Sequence, residues 1–461
     1  MTKRITINPI TRLEGHGQIQ IDLDDAGQVA RTFFQVPDFK GFEKFCEGRA
    51  VEEMPTLTQK ICGVCPTAHH IAGSKALDRI FDVEPPVPAR IIRELMHNAF
   101  IFEDHLLHCY YLGGPDLLLG AEASPEKRNI FGVIQSLGQA TGKRLIDIRK
   151  RVRQLSSLLG GSALYPVAGL PGGVAQPVAE SRRAEIVATA QDAVAFARFN
   201  LTLFEERVWD QAHFQQLYHS DNFTQPTYYM GMVDDNKRVN FYDGNIRIVN
   251  PEGKQFGLFD PQDYAQHLAE RVKPWNYLKL LYLKQIGWHG LVPGNASGIY
   301  RVGPLARLNA AEGMATPLAQ QEYEKMMTAL GGKPVHNTLA YHRARLVEIL
   351  YAAERMLELA QDERLTQSDV RRLPRKFRLK GVGACEAPRG TLIHDYKVDK
   401  QLLVDKMNLV VATQHNAAAI CLDIDRAARA FIDHGKVTDG VLNRIEMAYR
   451  AYDPCMACAT H

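Results

Sequence analysis

QKICGVCPTAH, residues Gln59 to His69, and DPCMACATH, residues Asp453 to His461, each hold two cysteines separated by two residues: Cys62 and Cys65, then Cys455 and Cys458. That spacing sets two sulfurs about one turn apart, which suits the grip of one metal ion by two thiolates. A pair acting alone would be a redox dithiol, and two joined pairs would make a four-sulfur site. Structural zinc is the ordinary reading of such a site. Zinc ribbons keep their pairs tens of residues apart, whereas here the spacing is 455 − 62 = 393 positions. A site built from both pairs would sit at the centre of the fold, clamped between its first and last elements.

The rest of the composition is compatible with a large buried core. The chain has 461 residues, 46% hydrophobic and 23% charged, which excludes dominant disorder. Lys and Arg number 55 against 52 Asp and Glu, a net charge of +3, so there is no nucleic-acid footprint. The longest uncharged stretch, Gln154 to Ala179, contains three prolines and five glycines and does not read as a membrane span. The opening MTKRITINPITRLEGHG has no apolar segment, so we expect no signal peptide of the chain's own and a cytoplasmic location. Cys46, Cys109, Cys385 and Cys421 stand alone, and buried inert thiols are the default for them.

Periodicity predicts an α+β chain, predominantly helical, with a long-helix bundle and small peripheral sheets. The first 36 residues read as strands, with a turn at Asp25–Gly27. PARIIRELMHNAFIFEDHLLHCYYL, starting at Pro88, has apolar residues at three- and four-residue spacing. Further long helices are expected over Glu126–Leu159, Glu180–Trp209 and Asn337–Gln361. RVNFYD and NIRIVN read as a hairpin meeting at Asp243-Gly244. KFRLKGVGAC, TLIHDYKV and MNLVVAT read as strands, followed by helices near Asn416–Ile432 and Val437–Tyr452. We expect one unit, 1–461, in three parts: a β-rich part at 1–60, a mainly helical part with a hairpin insertion at 61–370, and a β/α part at 371–461 that closes the site.

The two cysteine segments resemble the paired signatures of the large subunit of nickel–iron hydrogenases. Other matches follow in the family's order: TRLEGH (Thr11–His16), FKGFE (Phe39–Glu43), the His105/His108/Asp116 spacing, and CEAPRG (Cys385–Gly390). The resemblance covers the whole chain. It implies that Cys62 and Cys455 are terminal nickel ligands. Cys65 and Cys458 would bridge nickel to an iron that carries carbonyl and cyanide. Four soft thiolates select nickel, zinc or iron over hard cations. One departure is Lys60, where the family has Arg; the charge is kept and the planar fork is lost.

The resemblance also implies roles around the metals. Glu14 would accept the proton beside a terminal thiolate, since heterolytic cleavage of H2 needs a base within reach. Arg389 would hang over the open nickel position, paired with Asp116, and Pro388 and Thr413 would line the cyanides. His69 would hydrogen-bond the Cys458 sulfur. Glu43, His461 and the Leu409 carbonyl would surround a second metal, usually magnesium. His105 and His108 would line the pocket or face a partner.

No nucleotide fingerprint and no further iron–sulfur spacing occur in the chain. Its electrons must therefore pass to a partner, an iron–sulfur small subunit. RVGPLARLN (Arg301–Asn309), APRGTLIHD (Ala387–Asp395) and ACATH (Ala457–His461) look like the cytoplasmic NAD-reducing soluble hydrogenases. In those a diaphorase carrying FMN completes the route to NAD. A cytoplasmic enzyme feeding a heterodisulfide reductase or similar acceptor is the second reading. A quinone-module subunit of the complex I type lacks the cysteine pairs, and a zinc-stapled structural protein is a third class. Relatives are commonly made with a tail beyond the terminal His, cut by a maturation protease after nickel chaperones have acted. We therefore expect His461 to be buried and close to Glu43.

Overall fold

A computed structural model describes residues 3–461. The first strands are Lys3–Ile7, Gln18–Leu23 and Val29–Gln35, joined in that order as an antiparallel sheet with Ile5 opposite Ile21. Alternation along QIQIDL turns Ile19, Ile21 and Leu23 inward. The turn falls at Asp24–Gly27, where Asp24 accepts the Gly27 amide.

The helical part is built from Val87–Leu107, Gln139–Gly160, Glu180–Phe204 and Ala340–Gln361. Val87–Leu107 packs on Gln139–Gly160 and Ala340–Gln361, and the last of these packs on Glu180–Phe204. Pro88 stands at the start of the first helix, where its missing N–H costs nothing. Its end is a π turn, His108–Leu112, which stops at Gly113. A second π turn, Glu205–Trp209, carries the Glu180 helix to the expected limit. The single helix expected over Glu126–Leu159 is instead two. Asn129 caps Ile130–Leu137 through the amides of Phe131 and Gly132, and Gly138, at φ 88°, breaks the chain before Gln139.

The hairpin expected at Asp243-Gly244 does not form. Arg238–Val239 and Asn245–Val249 lie on opposite sides of Tyr228–Val233, with Val233 opposite both Val239 and Asn245. YYMGMV is buried at every position, so its backbone groups need partners on both edges. The tight turn is Asp234–Lys237, where the Asp234 carboxylate accepts the amides of Asn236 and Arg238. Residues 240–244 cross to the other edge.

Lys380–Ala387, Gly390–Val398 and Val404–Val410 form a third antiparallel sheet, with Pro388 and Arg389 as its two-residue turn. The helix Pro66–Ile80 lies along the first of these strands. A Cβ on Gly383 would meet the Ala72 carbonyl at 2.1 Å, so only glycine lets helix and strand backbones touch. This contact holds the Pro66 helix along the strand that leads into the Pro388-Arg389 turn. Ala412–Phe431 and Asp439–Arg450 pack together and complete the C-terminal part. No described helix is long and apolar enough to cross a membrane.

Asp116 clasps these parts together. Its carboxylate receives Arg12 at 2.5 Å, Arg450 at 2.8 Å and Asn443 at 3.0 Å, joining the N-terminal segment, the middle and the Asp439 helix. Burial alone would raise this carboxyl, but Arg450 and Arg12 hold it below its ordinary range. Asp116→Asn removes the charge facing two largely buried guanidinium groups, of which Arg450 keeps Glu446, and the expected loss is about 3 kcal/mol at neutral pH. Because the folded-state pKa is depressed, the ion pair's contribution is complete above the unfolded carboxyl pKa. It fades as pH falls through the depressed value. Denaturant titrations of both proteins at neutral and acid pH check this: the gap should narrow only at acid pH.

Candidate metal centre

The two cysteine segments meet. Cys62 lies 3.3 Å from Cys455, Cys65 lies 3.1 Å from Cys458, and Cys455 lies 3.0 Å from Cys458, sulfur to sulfur. One ligand atom from each lies within 4.8 Å of the others, and all four residues are buried. Cys65 opens the Pro66 helix and Cys455 opens the short helix Met456–Ala459, so each pair is folded by a helix start. The amides of Val64 and Cys65 donate to Cys62 Sγ. Burial opposes ionisation of Cys62, yet hydrogen bonds from the other three thiols and the charge of Arg389 hold it well below its ordinary range. Burial pushes Cys455 and Cys458 well above theirs. A cation must therefore replace the remaining protons for all four to ionise.

Glu14 touches this cluster directly. Cys455 Sγ donates to its Oε2 at 2.9 Å, and the Ala457 amide donates to the same oxygen at 3.1 Å. The Met456 amide donates to the Glu14 carbonyl, and Glu14 bridges Cys455 in parallel. Gly15, at φ 81°, makes the approach possible: a Cβ there would lie 2.9 Å from the Ala457 nitrogen. Burial, then the nearby Cys62 charge, raises the Glu14 pKa.

Arg389 does not pair with Asp116. Its two terminal nitrogens grip Asp104 at 3.1 Å each, and one also reaches Asp453 at 3.1 Å. Asp116 is already committed to Arg12 and Arg450 on the far side of the π turn. Burial pushes Asp104 up to about 7. Asp453, which also meets His108 at 3.0 Å, is held below the carboxylate range by Arg389 and His108 despite its burial. The turn that presents Arg389 is itself anchored. Arg307 donates to the carbonyls of Ala387 and Pro388 at 2.8 and 3.1 Å and pairs with Glu348 and Glu386. His105, expected to line the pocket or face a partner, is instead buried against Glu348 at 2.9 Å.

These features match known proteins. The family described as nickel-dependent hydrogenase matches residues 40–155 and 288–461, and a HoxL-like family matches residues 4–39. The chain belongs to the nickel-dependent hydrogenase family. It is 45% identical over 460 residues to the iron-sulfur subunit of an F420-non-reducing hydrogenase from Archaeoglobus profundus, covering 100% of this chain and 94% of that protein. It is 34% identical to the NAD-reducing hydrogenase HoxS subunit beta of Cupriavidus necator, covering 100% and 95%. A solved NAD+-reducing [NiFe]-hydrogenase in the H2-reduced state matches with a TM-score of 0.93 and 36% identity over the whole of both chains. The chain is thus the catalytic subunit of a nickel–iron hydrogenase, and the zinc-stapled and quinone-module readings fall. Four buried sulfurs with no hard oxygen donor among them fit nickel and iron.

Of the remaining expected residues, Thr413, His69 and His461 contact the cysteines of the second pair. Thr413 Oγ1 accepts the Cys455 amide at 3.0 Å, which leaves its own O–H free to donate. His69 Nε2 lies 3.6 Å from Cys458 Sγ. His461 is buried; its Nδ1 donates to the Cys458 carbonyl at 2.8 Å and its Nε2 lies 3.3 Å from Glu43. Glu43 also accepts the Leu409 amide at 2.8 Å, so the contact seen for Leu409 is through its N–H. Lys60 is exposed and sits 3.5 Å over the Tyr165 ring, a use of its charge that needs no planar fork. Sequence reading missed Asp104, Asp453, Arg307, Glu348, Glu386, His394 and Tyr396 as parts of the site. Asp453 stands inside the quoted DPCMACATH, so its nearness was visible while its partner was not.

Cys458 touches Cys65, Cys455 and His69, so its loss should be felt across the cluster. Cys458→Ser is expected to lose stable metal loading altogether. Elemental analysis of the purified protein checks this, and full loading would remove Cys458 from the ligand set.

Proposed function

We propose that Cys62 and Cys455 hold nickel as terminal ligands and that Cys65 and Cys458 are shared with an iron carrying carbon monoxide and cyanide. When bound, this centre supplies the site where H2 is split heterolytically. The observation that carries the reading is Glu14: among the described residues it is the one carboxylate hydrogen-bonded to a cluster sulfur. Burial raises its pKa, which suits it to take up a proton at Oε2 and pass it on. Arg389 stays charged, because Asp104 and Asp453 outweigh its burial, and it sets a fixed positive charge beside the sulfurs. Pro388 and Thr413 are both buried and would line the diatomic ligands of the iron, Thr413 from its place on the Cys455 amide.

Glu43, His461 and the Leu409 backbone would take a second cation. A carboxylate with backbone and water oxygens fits Mg2+. An iron–sulfur subunit receives the electrons, and a maturation protease and nickel chaperones serve the assembly.

For the acceptor beyond that iron–sulfur partner, identity is the available observation. The chain is 45% identical to its relative from an F420-non-reducing hydrogenase and 34% identical to its relative from an NAD-reducing one. This favours an acceptor other than NAD, such as a disulfide reductase. The FMN-containing diaphorase route to NAD is the second reading, supported by the 0.93 TM-score.

Glu14→Gln is nearly isosteric and cannot act as a base. It should retain the metals and lower H2/D2 exchange with solvent by about 10²-fold or more. Exchange at the wild-type rate would overturn the role. The acceptor is decided by purifying the complex with its native partners and measuring H2-dependent reduction of NAD+. No NADH formation, with undiminished reduction of an artificial dye, is the expected result.

A further inference from the structure

Beyond Cys458 the hydrogen bonding continues through three buried side chains. His69 Nε2 faces Cys458 Sγ at 3.6 Å, and its Nδ1 lies 3.0 Å from His394 Nε2. His394 Nδ1 then lies 2.6 Å from the Tyr396 hydroxyl. His394 and Tyr396 are two apart on the strand Gly390–Val398, so both project from the same face. That face is turned to the Pro66–Ile80 helix, which carries His69. A Cβ on Gly73 of that helix would lie 3.2 Å from the Tyr396 hydroxyl, so the phenol is packed in place.

His69 and His394 are buried and, among the described residues, no carboxylate reaches either ring, so neither has a counter-charge to hold it as an imidazolium. Their facing nitrogens, 3.0 Å apart, need one N–H and one lone pair between them. Burial keeps the Tyr396 phenol protonated. A neutral imidazole carries one N–H and one lone pair, so donation along such a chain must run in a single direction. The direction follows from the sulfur. A thiolate bound to metal has no proton and can only accept. His69 must then carry its proton on Nε2 and accept at Nδ1 from His394 Nε2–H. His394 in turn accepts at Nδ1 from the Tyr396 O–H. The opposite direction would aim a nitrogen lone pair at a thiolate.

We propose that Tyr396 and His394 are positioning residues that lock the tautomer of His69, so that its N–H is held on the bridging sulfur of Cys458. This rests on the reading of Cys458 as a metal-bound thiolate. An N–H···S bond draws electron density from the sulfur, which makes the metals less electron-rich and raises their reduction potential. Tyr396 thus acts on the centre through two rings, without touching it.

The test is Tyr396→Phe in the holoenzyme purified with its partner subunits. The change removes one oxygen and keeps the ring. Infrared bands of iron-bound carbon monoxide and cyanide are recorded, together with the nickel midpoint potential. At wild-type nickel and iron content, the carbon monoxide band should move to lower wavenumber and the potential should become more negative. The double variant Tyr396→Phe, His394→Gln should return the band to the wild-type position, because the amide donates to His69 without help from a phenol. Wild-type bands and potential in Tyr396→Phe would overturn the proposal, as would a double variant shifted as far as the single one. If Tyr396→Phe does not fold, His394→Gln and His394→Met are compared: the first should match wild type, and the second, which has no donor, should shift. Equal bands in those two would overturn the proposal. Absence of these bands from the wild-type enzyme would overturn the nickel–iron reading itself, an outcome distinct from all of these.

Discussion

Four sulfurs packed within 4.8 Å of one another in a buried site cannot all be anionic unless a cation holds them. In the absence of metal the site must keep most of its protons, and only Cys62 has enough amide and thiol donors to ionise readily. The last loop of the chain is therefore tied to the first by bonds that do not depend on the metal. Glu14 pairs its backbone with Met456 and its carboxylate with Ala457. Thr413 holds the Cys455 amide, and His461 holds the Cys458 carbonyl. These contacts seat the last segment against the first without using the sulfurs themselves.

Around that centre the charges are organised through arginines. A guanidinium stays charged on burial, and its planar fork serves two acceptors at once. Arg389 joins Asp104 to Asp453, Arg307 joins Glu348 to Glu386, and Arg12 and Arg450 share Asp116. Each buried carboxylate is answered, which avoids the large cost of a lone buried charge. The three groups divide the work. The Arg389 group faces the sulfurs. The Arg307 group fixes the backbone of the turn from which Arg389 projects. The Asp116 group binds distant segments together and does not reach the sulfurs. In both of the first two groups a neutral histidine, His108 or His105, supports a carboxylate from behind.

Much of this was legible in local sequence. Two C-x-x-C pairs, the helical periodicity of residues 87–112 and 337–361, and the strands around the Pro388-Arg389 turn depend on residues a few positions apart. Such features are encoded where they occur, because a helix start or an alternating strand is decided by its own neighbours. Gly138 and Asn129 show the limit of that reading. A cap and a left-handed residue cut one apolar run into two helices, although the periodicity continues across the break.

By itself, the sequence determined which four cysteines form the cluster, the motif that singles out Glu14, and the mixed, mainly helical class. Only the tertiary structure decided that Tyr228–Val233 lies between the two strands expected to pair with each other. It alone decided that Arg389 answers Asp104 and Asp453 and that His69 is backed by His394 and Tyr396. The physical reason is the same in each case. Ligand type and local periodicity are properties of short segments. The partner of a buried charge, a buried ring nitrogen or a strand edge is chosen by which distant backbone packs within hydrogen-bonding distance, and here that depends on contacts such as Gly383 against the Pro66 helix.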